Sequence, residues 1–256
     1  MTNSLIIENK TLETRWIHSS CSGNPVLVFL HEGLGSLELW KDFPETLCRT
    51  CGCPGFIFSR LGYGGSDPCT LPRKINYLHK EALDILPRVL TAAGIQDHII
   101  IGHSDGGSIG MIYAGSPHAS LLKGLITEAT HVFVEPITIA SIKNARKTYL
   151  TGGLREKLER HHGKNTDIAF WGWNDIWLHP CFRSWNIEKY LKKIRVPVLA
   201  LQGRQDPYGT LDQLTVLPGQ IPDCRIRILE ECGHTPHMEQ KETSLQLMTE
   251  FIREWI

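Results

Sequence analysis

No stretch of this sequence approaches the roughly 20 apolar residues that a membrane span requires. Its opening, Met1-Thr2-Asn3-Ser4-Leu5-Ile6-Ile7-Glu8, has neither a basic start nor an apolar run of signal-peptide length. These absences lead us to expect a cytoplasmic protein with no membrane partner. Excess charge is missing as well: 27 Lys and Arg stand against 27 Asp and Glu, with no block of one sign. That removes the electrostatic case for nucleic acid and points to a small-molecule substrate. No Gly-x-Gly-x-x-Gly and no Gly-Lys-Ser/Thr ending occurs, so the glycine-rich stretches do not read as phosphate loops. There is no internal repeat and no low-complexity segment.

Complete metal motifs are also lacking. Cys48-x-x-Cys51-x-Cys53 has half the pattern of a zinc site, but no companion Cys or His pair stands at metal-site spacing, and Pro54 follows directly. His31-Glu32 is followed by no second His at the spacing of a zinc protease. The eight cysteines, without a secretory signal, read as reduced thiols. We expect no metal and no organic cofactor.

What the chain does have is an alternation of buried strands and amphipathic helices. At 256 residues it suits one large α/β domain carrying an insertion. Residues 4 to 18 alternate loosely, with Leu5, Ile7, Leu12, Thr14 and Trp16 inward, and read as an edge hairpin turning near Asn9-Lys10. Continuous apolar runs at 25–30, 55–59, 99–101, 124–129 and 196–201, with an alternating run at 225–229, give the remaining strands. Helices are expected from Leu37 to Cys51, bent around Pro44, from Ile75 to Ala93, after Ser104, and at the C-terminus with Leu245, Met248, Phe251, Ile252 and Trp255 on one face. The expectation is a mostly parallel sheet of about eight strands, flanked by helices, with its site at the strands' C-terminal ends.

From about Val134 to Tyr190 this rhythm stops. Helical segments at 138–150 and 154–161 appear with no strand between them, so we read 134–190 as a helical cap on a core made of 1–133 and 191–256. Trp171, Trp173, Trp177 and Trp185 lie in it, either as the cap's own core or as a pocket lining. His161, His162 and His179 have no evident ligand partners and read as surface or cap residues.

The chemistry gathers at strand ends. Ile99-Ile100-Ile101 runs into Gly102-His103-Ser104-Asp105-Gly106-Gly107, where Gly-x-Ser-x-Gly at a strand-to-helix turn would expose the Ser104 hydroxyl as a nucleophile. His31-Glu32-Gly33-Leu34-Gly35-Ser36, after the first buried strand, can aim backbone N–H groups at an oxyanion. Arg60 to Asp67 is a turn-rich loop, either in solvent or part of a pocket wall. Asp206 follows the strand ending in Gln202-Gly203 and is placed to orient a histidine, with Glu128 as the alternative acid. His234 follows the last strand in Gly233-His234-x-Pro236-His237, with His237 as the alternative base.

Ser104, Asp206 and His234 in this order, each after a strand, resemble the α/β-hydrolase superfamily over nearly the whole chain. The cap, with Trp185-Asn186-Ile187, is similar to those of capped bacterial esterases and of hydrolases of ring-fission diketones. The resemblance implies that Ser104 attacks a carbonyl, His234 takes its proton, Asp206 holds the imidazole, and the N–H groups of Gly33 and Asp105 bind the oxyanion. Many relatives have His-Gly where this chain has His31-Glu32. Glu32 and His103, with Trp173 and Trp177, are the candidate substrate-binding residues, while the Asp105 carboxylate is expected to help cap the helix. The implied function is hydrolysis of a small carboxylic ester or related acyl compound. The alternatives are carbon–carbon hydrolysis of a dienol diketone, or a triad-bearing ligand receptor. The protein is expected as a monomer or homodimer.

Overall fold

The computed structural model describes residues 3–19 and 23–256. Met1 and Thr2 of the N-terminal segment, and Cys21 among the cysteines, lie outside them. Strands β1 (Asn3–Ile7) and β2 (Lys10–Ile17) form the antiparallel edge hairpin. The reversal falls on Glu8-Asn9, one residue earlier than the sequence suggested. Both residues have positive φ, 50° and 62°, the backbone of a two-residue turn whose twist matches that of the strands.

The sheet has eight strands in the order β1-β2-β4-β3-β5-β6-β7-β8. The six after the hairpin are β3 (Val26–Leu30), β4 (Gly55–Phe58), β5 (His98–His103), β6 (Leu122–Glu128), β7 (Val198–Gly203) and β8 (Cys224–Leu229). From β4 to β8 every pairing is parallel. The inner strands are buried on both faces, which is why they read as continuous apolar runs, whereas the edge strand β8 alternates.

The strand period of two sends alternate residues to opposite layers. Leu27, Phe29, Ile99, Ile101 and Leu199 pack against α1 (Phe43–Cys51) and the C-terminal helix. Val28, Leu30, Ile100, Val198 and Ala200 pack on the other layer. That layer includes α2 (Tyr77–Lys80), α3 (Leu86–Ala92) and α4 (Asp105–Ala114). Pro44 does not bend a longer helix. It occupies the first turn of α1, where its missing N–H has no intrahelical partner to lose, and Leu37–Trp40 forms a separate 3-10 turn. The expected helix from Ile75 is interrupted by a π-turn over Glu81–Ile85, in which the Leu86 N–H donates to the Glu81 carbonyl just ahead of Pro87.

Between β6 and β7 lie α5 (Pro136–Thr151), α6 (Leu154–His162) and α7 (Thr166–Trp177). An isolated bridge between Phe133 and Asn186, with the Ile187 N–H donating to the Val132 carbonyl at 2.9 Å, ties the insertion's entering and leaving strands together. The chain returns to the sheet through α8 (Glu188–Leu191), then α9 (Asp212–Thr215), α10 (Pro236–Glu239) and α11 (Lys241–Arg253). Cys48, Cys51 and Cys53 are buried in the α1–α11 layer among aliphatic side chains. No helix among the described residues is long and apolar enough to cross a membrane.

Candidate active site

The loops after β5, β7 and β8 converge above the sheet's C-terminal edge. Ser104 sits at the apex between β5 and α4 with φ 52° and ψ −114°, a left-handed conformation a serine adopts only when its surroundings impose it. The glycines around it follow from close backbone approach: a Cβ at Gly106 would fall on the Leu30 carbonyl, and one at Gly107 on the Thr130 hydroxyl. The Ser104 hydroxyl lies 3.0 Å from Nε2 of His234, and Nδ1 of His234 lies 2.8 and 2.9 Å from the two carboxylate oxygens of Asp206.

Asp206 is fixed in turn. Its carboxylate accepts the Tyr208 backbone N–H and the Gln202 amide, each at 2.7 Å. Burial works against its charge, but the hydrogen bond and charge of His234, together with the Tyr208 N–H, outweigh it and hold Asp206 below the usual carboxylate range. The alternative acid and base pair with each other instead: His237 Nδ1 meets Glu128 Oε2 at 2.7 Å, both buried behind the site.

The loop after β3 runs alongside Ser104. His31 is wholly buried and accepts the Arg60 backbone N–H through Nε2 at 3.1 Å, while its Nδ1 faces the Glu32 carbonyl at 2.8 Å. Burial and the Arg60 charge keep its pKa low, so it is a neutral prop. The Arg60 side chain, 2% exposed, donates to the Glu32 carbonyl at 2.8 Å and lies 4.0 Å from Asp105. Residues 60–67 do not line the cavity above Ser104: Arg60 buttresses the loop after β3, and Asp67 accepts the Thr11 N–H of β2 at 2.7 Å. Two glycines of the loop have packing reasons, since a Cβ at Gly33 would strike the Trp173 indole and one at Gly35 the Glu32 carboxylate.

A cavity of about 90 Å³ opens above Ser104, lined by Glu32, Gly33, Leu34, Asp105, His131, Thr138, Ile142, Trp173, Trp177, Tyr208 and His234. Trp173 and Trp177 are one helical turn apart on α7 and present one face to it. Two expectations need correction. His103 is not in the cavity wall: it lies behind His234, 3% exposed, with Nε2 2.7 Å from the His234 carbonyl and Nδ1 3.4 Å from Glu32 Oε2. The Asp105 carboxylate does not cap α4. It accepts the Tyr77 hydroxyl at 2.7 Å and the Trp177 indole N–H at 3.2 Å, because these donors approach from the cap side. Burial and the Asp105 charge hold the Tyr77 hydroxyl protonated. His162, read as a surface or cap residue, lies on α6, where it bridges the Gly64 N–H and the Leu34 carbonyl and ties the helix to the loop.

Sequence reading did not find Arg60, Tyr77, His131 or Tyr208. His131 was the most accessible of these, being three residues past the end of β6, as Ser104 and Asp206 closely follow theirs. Arg60 and Tyr77 meet the site only through folding and left no local signal.

Residues 25–188 match the model of a family described as alpha/beta hydrolase fold. The chain belongs to that family. Along nearly its whole length the chain is 22% identical to the 2-hydroxy-6-oxo-6-phenylhexa-2,4-dienoate hydrolase of Comamonas testosteroni, covering 97% of this chain and 95% of that one. Over 67 residues it is 36% identical to the monoacylglycerol lipase abhd6-A of Xenopus laevis, a match spanning 26% of this chain and only 20% of the lipase. An esterase from Exiguobacterium antarcticum shares the fold at TM-score 0.78 and 19% identity, over 99% of this chain and 100% of that one.

Proposed function

We propose that this hydrolase cleaves small carboxylic esters or related acyl compounds through a covalent acyl-enzyme. The observation carrying this reading is the unbroken line from Ser104 Oγ through His234 to Asp206. Ser104 Oγ attacks the substrate carbonyl as its proton passes to His234 Nε2. The N–H groups of Asp105 and Gly33 bind the oxyanion, each worth roughly 3 kcal/mol in such sites. His234 then returns the proton to the leaving alcohol as the acyl-enzyme forms, and water activated by the same imidazole releases the acid. Asp206 holds the imidazole in the tautomer this sequence needs. In this reading 134–190 is the cap over a core of 1–133 and 191–256. Trp173, Trp177 and Glu32 contact the substrate, and the small cavity suits a short acyl group.

A second reading, carbon–carbon hydrolysis of a dienol diketone, is favoured by the full-length similarity to the dienoate hydrolase. Nitrophenol release from esters of increasing acyl length, by the native protein and Ser104→Ala, separates the two. Turnover that peaks at short chains and is lost in Ser104→Ala supports the esterase. No ester turnover, with fluorophosphonate still labelling Ser104 and a ring-fission dienoate bleached in the ultraviolet, moves the second reading forward. Undiminished turnover in Ser104→Ala overturns both.

A further inference from the structure

The chemical steps use neither the Glu32 carboxylate nor the His103 imidazole, although both touch the groups that carry those steps. His103 ends β5, one residue before Ser104, and its ring centroid lies 5.2 Å from that of His234. Its two nitrogens face two acceptors: the His234 backbone carbonyl at 2.7 Å and the Glu32 carboxylate at 3.4 Å. A neutral imidazole carries one N–H, so either neutral tautomer sets a lone pair against an oxygen. The doubly protonated ring gives each oxygen an N–H: Nε2 bonds the His234 carbonyl, and Nδ1, buried with no hydrogen-bond partner, faces Glu32 at ion-pair distance. Glu32 for its part folds back over Gly35, where a side chain would collide with its carboxylate.

We propose that Glu32 and His103 form a positioning pair, in which the imidazolium of His103, held by Glu32, grips the His234 carbonyl and fixes that residue between Ser104 and Asp206. This rests on the serine-hydrolase reading and extends it. The pair also answers an electrostatic question. Glu32 immediately precedes Gly33, so a bare carboxylate there would oppose the negative charge developing on the substrate oxygen, and the adjacent imidazolium neutralises it. The ionisable groups packed around His103 are Glu32 on the loop after β3, Glu128 at the end of β6, His234 after β8 and His237 on α10. Two of these are carboxylates. Burial alone would discharge the ring, but its contact with Glu32, aided by Glu128, outweighs burial and lifts His103 to about 9. Glu32 is correspondingly held well below its usual range against its own desolvation.

The test is the pH profile of kcat/KM for nitrophenyl acetate, corrected for spontaneous hydrolysis, together with NMR titration of the imidazole Cε1–H signals of the intact protein. The native enzyme loses activity as pH rises through about 9, following the His103 signal. In Glu32→Gln the fall moves to lower pH by about one unit or more, because the imidazolium has lost its counter-ion. His103→Gln keeps a donor for the His234 carbonyl but leaves Glu32 without its counter-ion, so at pH 7 it turns over at the reduced rate the native enzyme reaches above pH 9, and it shows no fall near 9. His103→Leu removes the donor and lowers kcat by about 100-fold with KM little changed. A native profile flat through pH 10, superimposable native and Glu32→Gln profiles, or full kcat in His103→Leu overturns the proposal. The NMR signal decides independently of turnover: a His103 midpoint below pH 7 also overturns it. Turnover that survives in Ser104→Ala would instead remove the serine-hydrolase reading, leaving the NMR result to judge the charged pair.

Discussion

The indole N–H of Trp177, the last residue of α7, lies 3.2 Å from the carboxylate of Asp105, the first residue of α4. The same indole N–H lies 2.9 Å from the Tyr77 hydroxyl, which itself donates to Asp105. A cap residue is thereby latched to the residue whose backbone N–H we assign to the oxyanion. Asp105 is 1% exposed and faces buried Arg60 at 4.0 Å, so its loss strands an arginine and two other donors.

Asp105→Ala should therefore destabilise the fold by roughly 3 kcal/mol, read from the urea midpoint. Trp177→Phe removes only one donor from the group and keeps most of the packing. It should cost about 1 kcal/mol and loosen the cap, raising KM for short esters more than it lowers kcat. Equal stability of Asp105→Ala and the native protein would show that the latch carries no weight.

Gly33 gives a sharper separation of folding from chemistry. A Cβ there would meet the Trp173 indole, so the loop or α7 must shift, and the backbone N–H of Gly33 shifts with it. We expect Gly33→Ala to lower kcat by about 100-fold while its melting temperature stays within a few degrees of native. Restoration of kcat in Gly33→Ala with Trp173→Ala would identify the indole as the obstacle. An unchanged kcat in Gly33→Ala would remove Gly33 from the oxyanion assignment.

The skeleton of this site was legible because strand ends announce themselves. The triple Ile99-Ile100-Ile101 can only be a buried strand once glycines follow it, and the tight turn that Gly102, Gly106 and Gly107 permit leaves Ser104 exposed at its tip. Asp206 and His234 were legible for the same reason. The Asp105 carboxylate was misread because local sequence offers it a helix N-terminus, while Tyr77 and Trp177, 28 and 72 positions away, offer better donors that only the fold supplies. His103 was misread likewise: a histidine beside the nucleophile suggests substrate contact, yet His103 is the last residue of β5 and stays buried behind His234, while only Ser104 stands on the turn. The Ile75 helix was legible in its apolar spacing, but not in its π-turn, which depends on how Pro87 is accommodated.

The Cys48-x-x-Cys51-x-Cys53 segment should behave as core. Burial pushes the Cys48 and Cys51 thiols up, away from the reactive thiolate. Cys181 is exposed, whereas Cys232 is buried, with its thiol pushed up to about 12 by burial and nearby carboxylates. Thiol titration of the native protein should show Cys181 reacting fast and the buried thiols slowly. In denaturant all eight cysteines of the sequence should react. A shortfall restored by a chelator or by a reductant would revive the metal or disulfide reading.

Stability against pH should reach its maximum slightly on the acid side of neutral, near pH 6.5, for opposed reasons that can be dissected. His31, His131 and His162 have pKa values lowered chiefly by burial. Each binds its proton more readily when unfolded, so its contribution is present above the unfolded value of about 6.5 and is lost as pH falls. His103 has the opposite sign. Its folded pKa is raised to about 9, so its contribution is complete below about 6.5 and is lost as pH rises through 9, on the order of 3 kcal/mol in all. Urea midpoints measured from pH 5 to 10 should therefore fall on both sides, the acid side more steeply because five histidines act there, these three together with His79 and His98, whose pKa values burial also lowers. In His103→Gln the alkaline decline should flatten while the acid decline persists. If the alkaline decline is unchanged in that variant, some other group is losing its proton there, and the imidazolium held by Glu32 contributes nothing to the fold.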